Sequence, residues 1–247
     1  MLFHLCQNGR MATKARRPDR REEPLTRERI VSAAVELLDQ AGEGGLTFRA
    51  LAERLATGPG AIYWHVSGKG DLLGAAAQAV IDDAVRAGGD GDATPQDAVR
   101  ALALRVFDAI DVHPWLGTQL SVNPLRSPML WFFESLGRQV RALGVPPGAE
   151  FTAVSALLNY ILGVAGQNAA NARAHEPGVE RDEFLATVAA GWADLDPDDY
   201  AFTRSAAGRL REHDDRAEFL AGLDLILAGI AAQLVPPGTG GRAQATR

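Results

Sequence analysis

The sequence predicts an all-α chain in two parts, a small N-terminal unit of three helices and a larger helical region behind it. Three observations lead there. No stretch alternates apolar and polar positions with β-branched residues for long, whereas several repeat apolar residues every three or four positions. Gly88-Gly89-Asp90-Gly91-Asp92 interrupts that pattern as a flexible acidic loop between the two parts. Charge is also divided unevenly: the first 74 residues hold eleven Lys/Arg against nine Asp/Glu and the rest fourteen against twenty-two, within a net charge of −6. A chain of 247 residues can bury a full core in such an arrangement.

Residues 1–23 read as a disordered arm whose Lys14, Arg16, Arg17, Arg20 and Arg21 continue into Arg27 and Arg29. Met1 to Cys6 is apolar but short and lacks a basic start, so no signal peptide is expected, and Met11 is a second candidate start. The lone Cys6 excludes a disulfide framework and fits the reducing cytoplasm.

The first helix is expected over 26–41, with Ile30, Ala34, Leu37, Leu38 and Ala41 on one face and Gly42 taking the left-handed position after it. Thr47 caps a short second helix that points Leu51, Ala52 and Leu55 inward and breaks at 56–58. Pro59 suits the first position of a third, because it has no N–H to lose there, and that helix should carry Ala61 to His65 and stop near Ser67-Gly68. A fourth runs from Lys69 to about Ala87 with Leu72, Leu73, Ala76, Val80 and Ala84 inward. Beyond the loop, Thr94-Pro95-Gln96-Asp97 has the capping-box form and opens a helix that reaches the His113-Pro114 break. Further helices are expected from Ser127-Pro128 to Gly144, over 148–174, near 182–192 and 198–211, and over 215–234. The longest apolar run, 151–166, falls short of the roughly 20 residues a bilayer needs, so no membrane partner is expected. Residues 236–247 read as a disordered tail.

The stretch TGPGAIYWHVSGKGDLL, 57–73, holds the functional signal. Two short helices joined by a tight turn behind a longer supporting helix form the helix-turn-helix arrangement, whose second helix enters the major groove of DNA. Gly58, Pro59 and Gly60 keep the tip of that helix slim, and Ala61 is small enough to face a base edge. Tyr63 and His65 can donate to phosphate oxygens, Trp64 can pack on sugar or base, and Lys69 and Arg49 add charge beside the backbone. Consecutive Tyr63, Trp64 and His65 span about 200° of a helix, so they cannot all point inward. Residue types alone leave DNA contact and an ordinary helical hairpin both open.

The run 25–73, through RIVSAAVELLDQAG, GLTFRALAERLATGPGAIYWHV and SGKGDLL, resembles the DNA-binding domain of the TetR (tetracycline repressor) family of transcriptional regulators. The likeness includes tyrosine-x-histidine at the end of the recognition helix and the lysine four residues on; Ala56 stands where the family usually has a turn glycine, and Gly58 where it often has a Ser or Thr cap. It implies a domain at 24–84 that contacts DNA through Thr47, Arg49, Thr57, Pro59, Gly60, Ala61, Tyr63, Trp64, His65 and Lys69. The implied function is a sequence-specific repressor, released from a pseudo-palindromic operator in double-stranded DNA by a small-molecule effector.

Helix-turn-helix proteins usually dock as two-fold dimers, so residues 95–235 are expected to form a dimerisation domain, and the resemblance implies that the same domain binds the effector. The homodimer interface is expected on the helices at 148–174 and 215–234, at Leu158, Leu162, Leu223, Ile226, Leu227 and Ile230. Trp115, Asn123, Trp131, Phe133, Asn159, Tyr160, Gln167 and Asn168 supply aromatic and neutral polar groups of the kind an effector cavity uses, although each could equally be core. His113 before LGTQL resembles tetracycline-binding members, but 151–175 holds no acid, so neither metal nor cofactor is expected. Two other classes fit the sequence less well. An enzyme would need a catalytic set from isolated His113, His175 and His213, and a protein- or membrane-interaction module would not require the aromatic end of a short helix.

Overall fold

The computed structural model describes residues 24–87, 94–122, 127–174 and 180–234. Their elements are α1 (Arg27–Gly45), α2 (Phe48–Arg54), α3 (Pro59–Tyr63), α4 (Lys69–Arg86), α5 (Pro95–Val112), α6 (Trp115–Val122), α7 (Ser127–Ala142), α8 (Pro147–Ala174), α9 (Arg181–Ala193), α10 (Ala201–Arg211) and α11 (Asp215–Leu234). The fold is all-α. The basic arm, the acidic loop, Asn123, His175 and the Gly-rich tail lie outside the described residues.

Thr26 caps α1 by accepting the Arg29 N–H at 3.2 Å, and Ile30, Ala33, Ala34 and Leu38 bury its inner face. Leu37 is only half-buried, and Ala41 is exposed. At Gly42 the chain leaves the helix with φ 60° and ψ −169°, a conformation closed to most side chains, and a last turn follows to Gly45. Thr47 caps α2 through the Ala50 N–H at 3.1 Å. The turn then places Ala56 at φ 51°, where a glycine would be unstrained. Pro59 opens α3 as expected, but the helix ends at Tyr63; Trp64 and His65 lie in the turn beyond it, a correction to the longer helix expected from sequence.

Helix α4 buries Leu72, Leu73, Ala76, Ala77, Ile81 and Val85. Val80 and Ala84, expected inward, are half-buried, since Val80-Ile81 and Ala84-Val85 are apolar pairs that fit either phase and packing on α5 and α7 selects the second member. Helix α6 was not foreseen: it follows Pro114 directly and is too short and too evenly apolar to show a period. It buries Trp115, Leu116 and Leu120, and a Cβ on its Gly117 would stand 3.3 Å from Gly166 Cα, so α6 and α8 meet backbone to backbone. Helix α7 closes at Gly144 (φ 84°), where Gly144 N–H reaches Arg141 O at 2.9 Å and Val145 N–H reaches Val140 O at 3.4 Å.

Helix α8 is the axis of the larger part, with α5, α6, α7 and α11 packed around it. Helices α9 and α10 pack mainly on each other, and Arg181 ties them back to Asp215 at 2.7 Å and to His213 O at 2.9 Å. By length and mean hydropathy alone, 147–171 (1.3) and α11 (1.6) could each cross a membrane, which corrects the expectation that no segment is long enough. Within one chain only 33% and 22% of these windows are buried.

Candidate nucleic-acid interface

The small end of the molecule is built on α1. Ile30, Ala34 and Leu38 meet Leu51 and Ala52 of α2, Ile62 of α3, Val66, and Leu72 of α4 in one continuous core. Ile62 is fully buried, which fixes the roll of α3 and turns its next residues outward. Tyr63 is 56% exposed and Trp64 90%, whereas His65 is half-buried. Such exposure of an indole is costly in water and marks a surface shaped for a partner.

Tyr63 is not loose. Its ring stacks on Phe48 with centroids 4.3 Å apart and planes 14° from parallel, so α2 braces the end of α3. Arg27 braces the same end from α1 by donating to the His65 carbonyl and to Asp71 Oδ1 at 2.9 Å. Asp71 in turn accepts the Ser67 N–H at 2.9 Å and the Ser67 hydroxyl at 3.1 Å, closing the loop between α3 and α4. These contacts, the Arg27 guanidinium first and the Ser67 N–H second, hold the Asp71 carboxyl well below its ordinary 3.8, at about 2. Sequence reasoning grouped Arg27 with the basic residues that lead into α1 and missed this clamp. Its only signal was the spacing of Ser67 and Asp71 around the start of α4.

The tip of α3 is bare. Gly58, Pro59 and Gly60 are exposed, and a Cβ added to either glycine would meet nothing within 4 Å. Ala61 and Thr57 are half-buried beside it. Thr47 is exposed, with its hydroxyl engaged in capping α2, and Arg49 leans on Glu53 at 3.0 Å across a fully wetted surface. Lys69 is exposed, and its ammonium donates to the Glu43 carbonyl at 2.5 Å, pinning α4 to the end of α1.

A profile described as "Bacterial regulatory proteins, tetR family" matches residues 30–76, and one described as "Tetracyclin repressor-like, C-terminal domain" matches 87–234. The chain belongs to the TetR family. A solved TetR transcriptional regulator from Streptomyces coelicolor is 60% identical, with a TM-score of 0.77 over 85% of this chain and 99% of that one. The class C tetracycline repressor of Escherichia coli is 31% identical over 83% of this chain and 90% of its own. An HTH-type transcriptional regulator of Saccharopolyspora erythraea is 36% identical over 56% of this chain, and the matched part spans 59% of that relative's length.

The TetR chain's two ends are joined by α4 and by a polar seam between α1 and α6. Asp39 Oδ1 accepts the Trp115 indole N–H at 2.8 Å and lies 2.7 Å from His113 Nδ1, while Gln119 donates to Glu43 at 2.6 Å. His113 and Trp115 thus serve the joint, and the buried Trp115 borders neither the cleft beside α1, α4 and α5 nor the one beside α5, α8 and α9. The other expected effector residues are scattered. Trp131 is 40% exposed under the Arg138 guanidinium, Phe133 tilts against Phe151 at 6.1 Å, Asn159 faces outward, and only Tyr160, Gln167 and Asn168 border one cleft.

The expected interface residues are corrected likewise. Leu158, Leu223, Leu227 and Ile230 are buried by their own chain, and Leu162 and Ile226 are half-buried, because these faces of the two helices pack onto α5 and each other. What α8 and α11 leave exposed is mostly small, Thr152, Ala156, Asn159 and Gly163 on one and Ala221, Ala228 and Ala232 on the other, with Phe151 and Leu225 as the large apolar exceptions. No charged residue lies between Phe151 and Asn171.

Proposed function

We propose that this chain is a dimeric, sequence-specific DNA-binding repressor that acts in the cytoplasm and leaves its operator when a small effector binds. One observation carries the DNA reading: a braced, outward-facing Tyr63-Trp64 pair beside a slim helix tip on which Pro59 stands between two open glycines. Tyr63 and His65 donate to phosphates, Trp64 lies against the sugar edge, and the tip of α3, with Thr57, Pro59, Gly60 and Ala61, faces the groove. Arg49 and Lys69 supply field rather than fixed contacts, and Thr47 holds α2 in place. The names of the relatives, transcriptional regulators and a tetracycline repressor, support regulation over catalysis.

The exposed, uncharged stripes of α8 and α11 take the second copy, as a four-helix contact of small residues around Leu225. An effector acts by binding better to the arrangement in which the two reading heads are spread. Movement of the core reaches the head through α4 and the Asp39–Trp115 seam. The test is fluorescence anisotropy on duplex DNA across ionic strengths. A dimer neutralising on the order of 6–10 phosphates loses roughly 10³–10⁵ in affinity between 50 and 200 mM salt. Affinity that ignores salt contradicts the proposal.

A further inference from the structure

Away from the reading head, a cleft of about 1010 Å³ separates α5, α8 and α11 from the α9–α10 pair. Its outer wall is the α9 face formed by Phe184, Val188 and Trp192, four residues apart along the helix. Its inner wall presents the half-buried ring of Tyr160, with Phe107 and the fully buried Phe219 packed behind it. Phe219 is stacked between Phe107 at 4.6 Å and Tyr160 at 5.7 Å, and the Tyr160 hydroxyl is already donated to the Phe219 carbonyl at 2.9 Å, so Tyr160 offers its ring and not its O–H. Polar recognition comes instead from the side-chain amides of Gln167, Asn168 and Asn171 on α8.

Charge narrows the occupant. Five carboxylates line the cleft against two arginines, and both arginines are engaged, Arg181 with Asp215 at 2.7 Å and Arg216 with Asp108. Among the described lining residues His213 is paired as well, with Asp215 at 3.0 Å, so acids outnumber cations and an anion brought in would face a net negative wall that includes Asp111. Ligand cavities commonly enclose about 300–1,000 Å³, so the space suits a molecule of several rings. The outer wall can yield, since α9 and α10 rest on the core through few contacts besides the Arg181 ties and Arg209 with Glu218 at 3.1 Å.

We infer that this cleft is the effector site, and that it takes a planar, multi-ring aromatic molecule that is neutral or cationic and carries oxygen or nitrogen groups for the α8 amides. The inference rests on the repressor reading for its regulatory meaning, but not for the existence of the site. The probe is Nile red, a neutral fused-ring dye that brightens in apolar surroundings, titrated into the full chain beside the anionic 8-anilinonaphthalene-1-sulfonate. Saturable Nile red binding is expected, weakened at least tenfold by Val188→Trp and by Asn168→Trp, which fill the cleft from opposite walls. The sulfonate should bind at least tenfold more weakly than Nile red. Thermal melts and operator affinity of both variants, measured without dye, should match the parent. Absence of saturable binding, a shift under twofold in a variant that melts like the parent, or tighter binding of the sulfonate would overturn the site. DNA binding that persists while the dye result fails removes only this inference; dye binding as expected with no DNA binding removes only the regulatory reading.

Discussion

Replacing Tyr63 with phenylalanine separates the two jobs of that residue. The ring stays on Phe48, 4.3 Å away, so the head should keep its stability within about 0.5 kcal/mol, the range of ordinary surface changes. The hydroxyl, on a side chain 56% exposed, is lost to any partner. A hydrogen bond to a charged group contributes about 1.5 kcal/mol at the low end, and a two-fold dimer makes it twice, so operator binding should weaken by about 3 kcal/mol, or roughly 150-fold. Tyr63→Ala should add a stability loss of about 1 kcal/mol from the stack. Anisotropy titration at fixed salt and a urea melt read both quantities. If Tyr63→Phe binds operator within threefold of the parent, the phosphate role is wrong.

Four further outcomes follow from particular residues. Gly60→Leu meets nothing in the free chain and should raise stability by about 0.5–1 kcal/mol in a urea melt while lowering operator affinity more than tenfold, opposite signs that only an approaching partner explains. Ala56→Gly should relieve the positive φ and stabilise the head by about 0.5–1 kcal/mol; a loss on chemical denaturation would contradict the strain. Because the Asp71 carboxyl is held down at about 2, its contribution is full above pH 3.8 and lost as pH falls through about 2; melting temperature should show that acid step, and Asp71→Asn should flatten it. Leu225→Glu, on a side chain 76% exposed within one chain, should leave folding unchanged yet shift sedimentation from dimer to monomer, and an undisturbed dimer would move the interface elsewhere.

The head was legible because its signals are local. Thr26, Thr47 and Pro59 open helices through contacts with their own neighbours, and Ile62, the one aliphatic side chain of α3 larger than alanine besides Pro59, fixes which side of that helix faces in. That at least one of Tyr63, Trp64 and His65 is exposed followed from their adjacency, and the structure exposes Trp64 most. The larger part was less legible because its faces are set by partners far along the chain. Leu223 and Leu227 read as interface until α5 and α8 were seen to cover them, and α6 has no period to betray it. Long-range hydrogen bonds were invisible for the same reason. Asp39 meets Trp115 across 76 positions, and nothing near either residue announces the other.

The central claim is that the end of α3 reads duplex DNA as one half of a symmetric pair. Selection of bound sequences from random double-stranded DNA by the purified full-length chain tests it most directly. The account predicts enrichment of one motif with two-fold symmetry, its half-sites about one helical turn or a multiple apart, and loss of that enrichment with Trp64→Ala and Gly60→Leu. Enrichment of no sequence at low salt, or of a motif without a dyad, would contradict it.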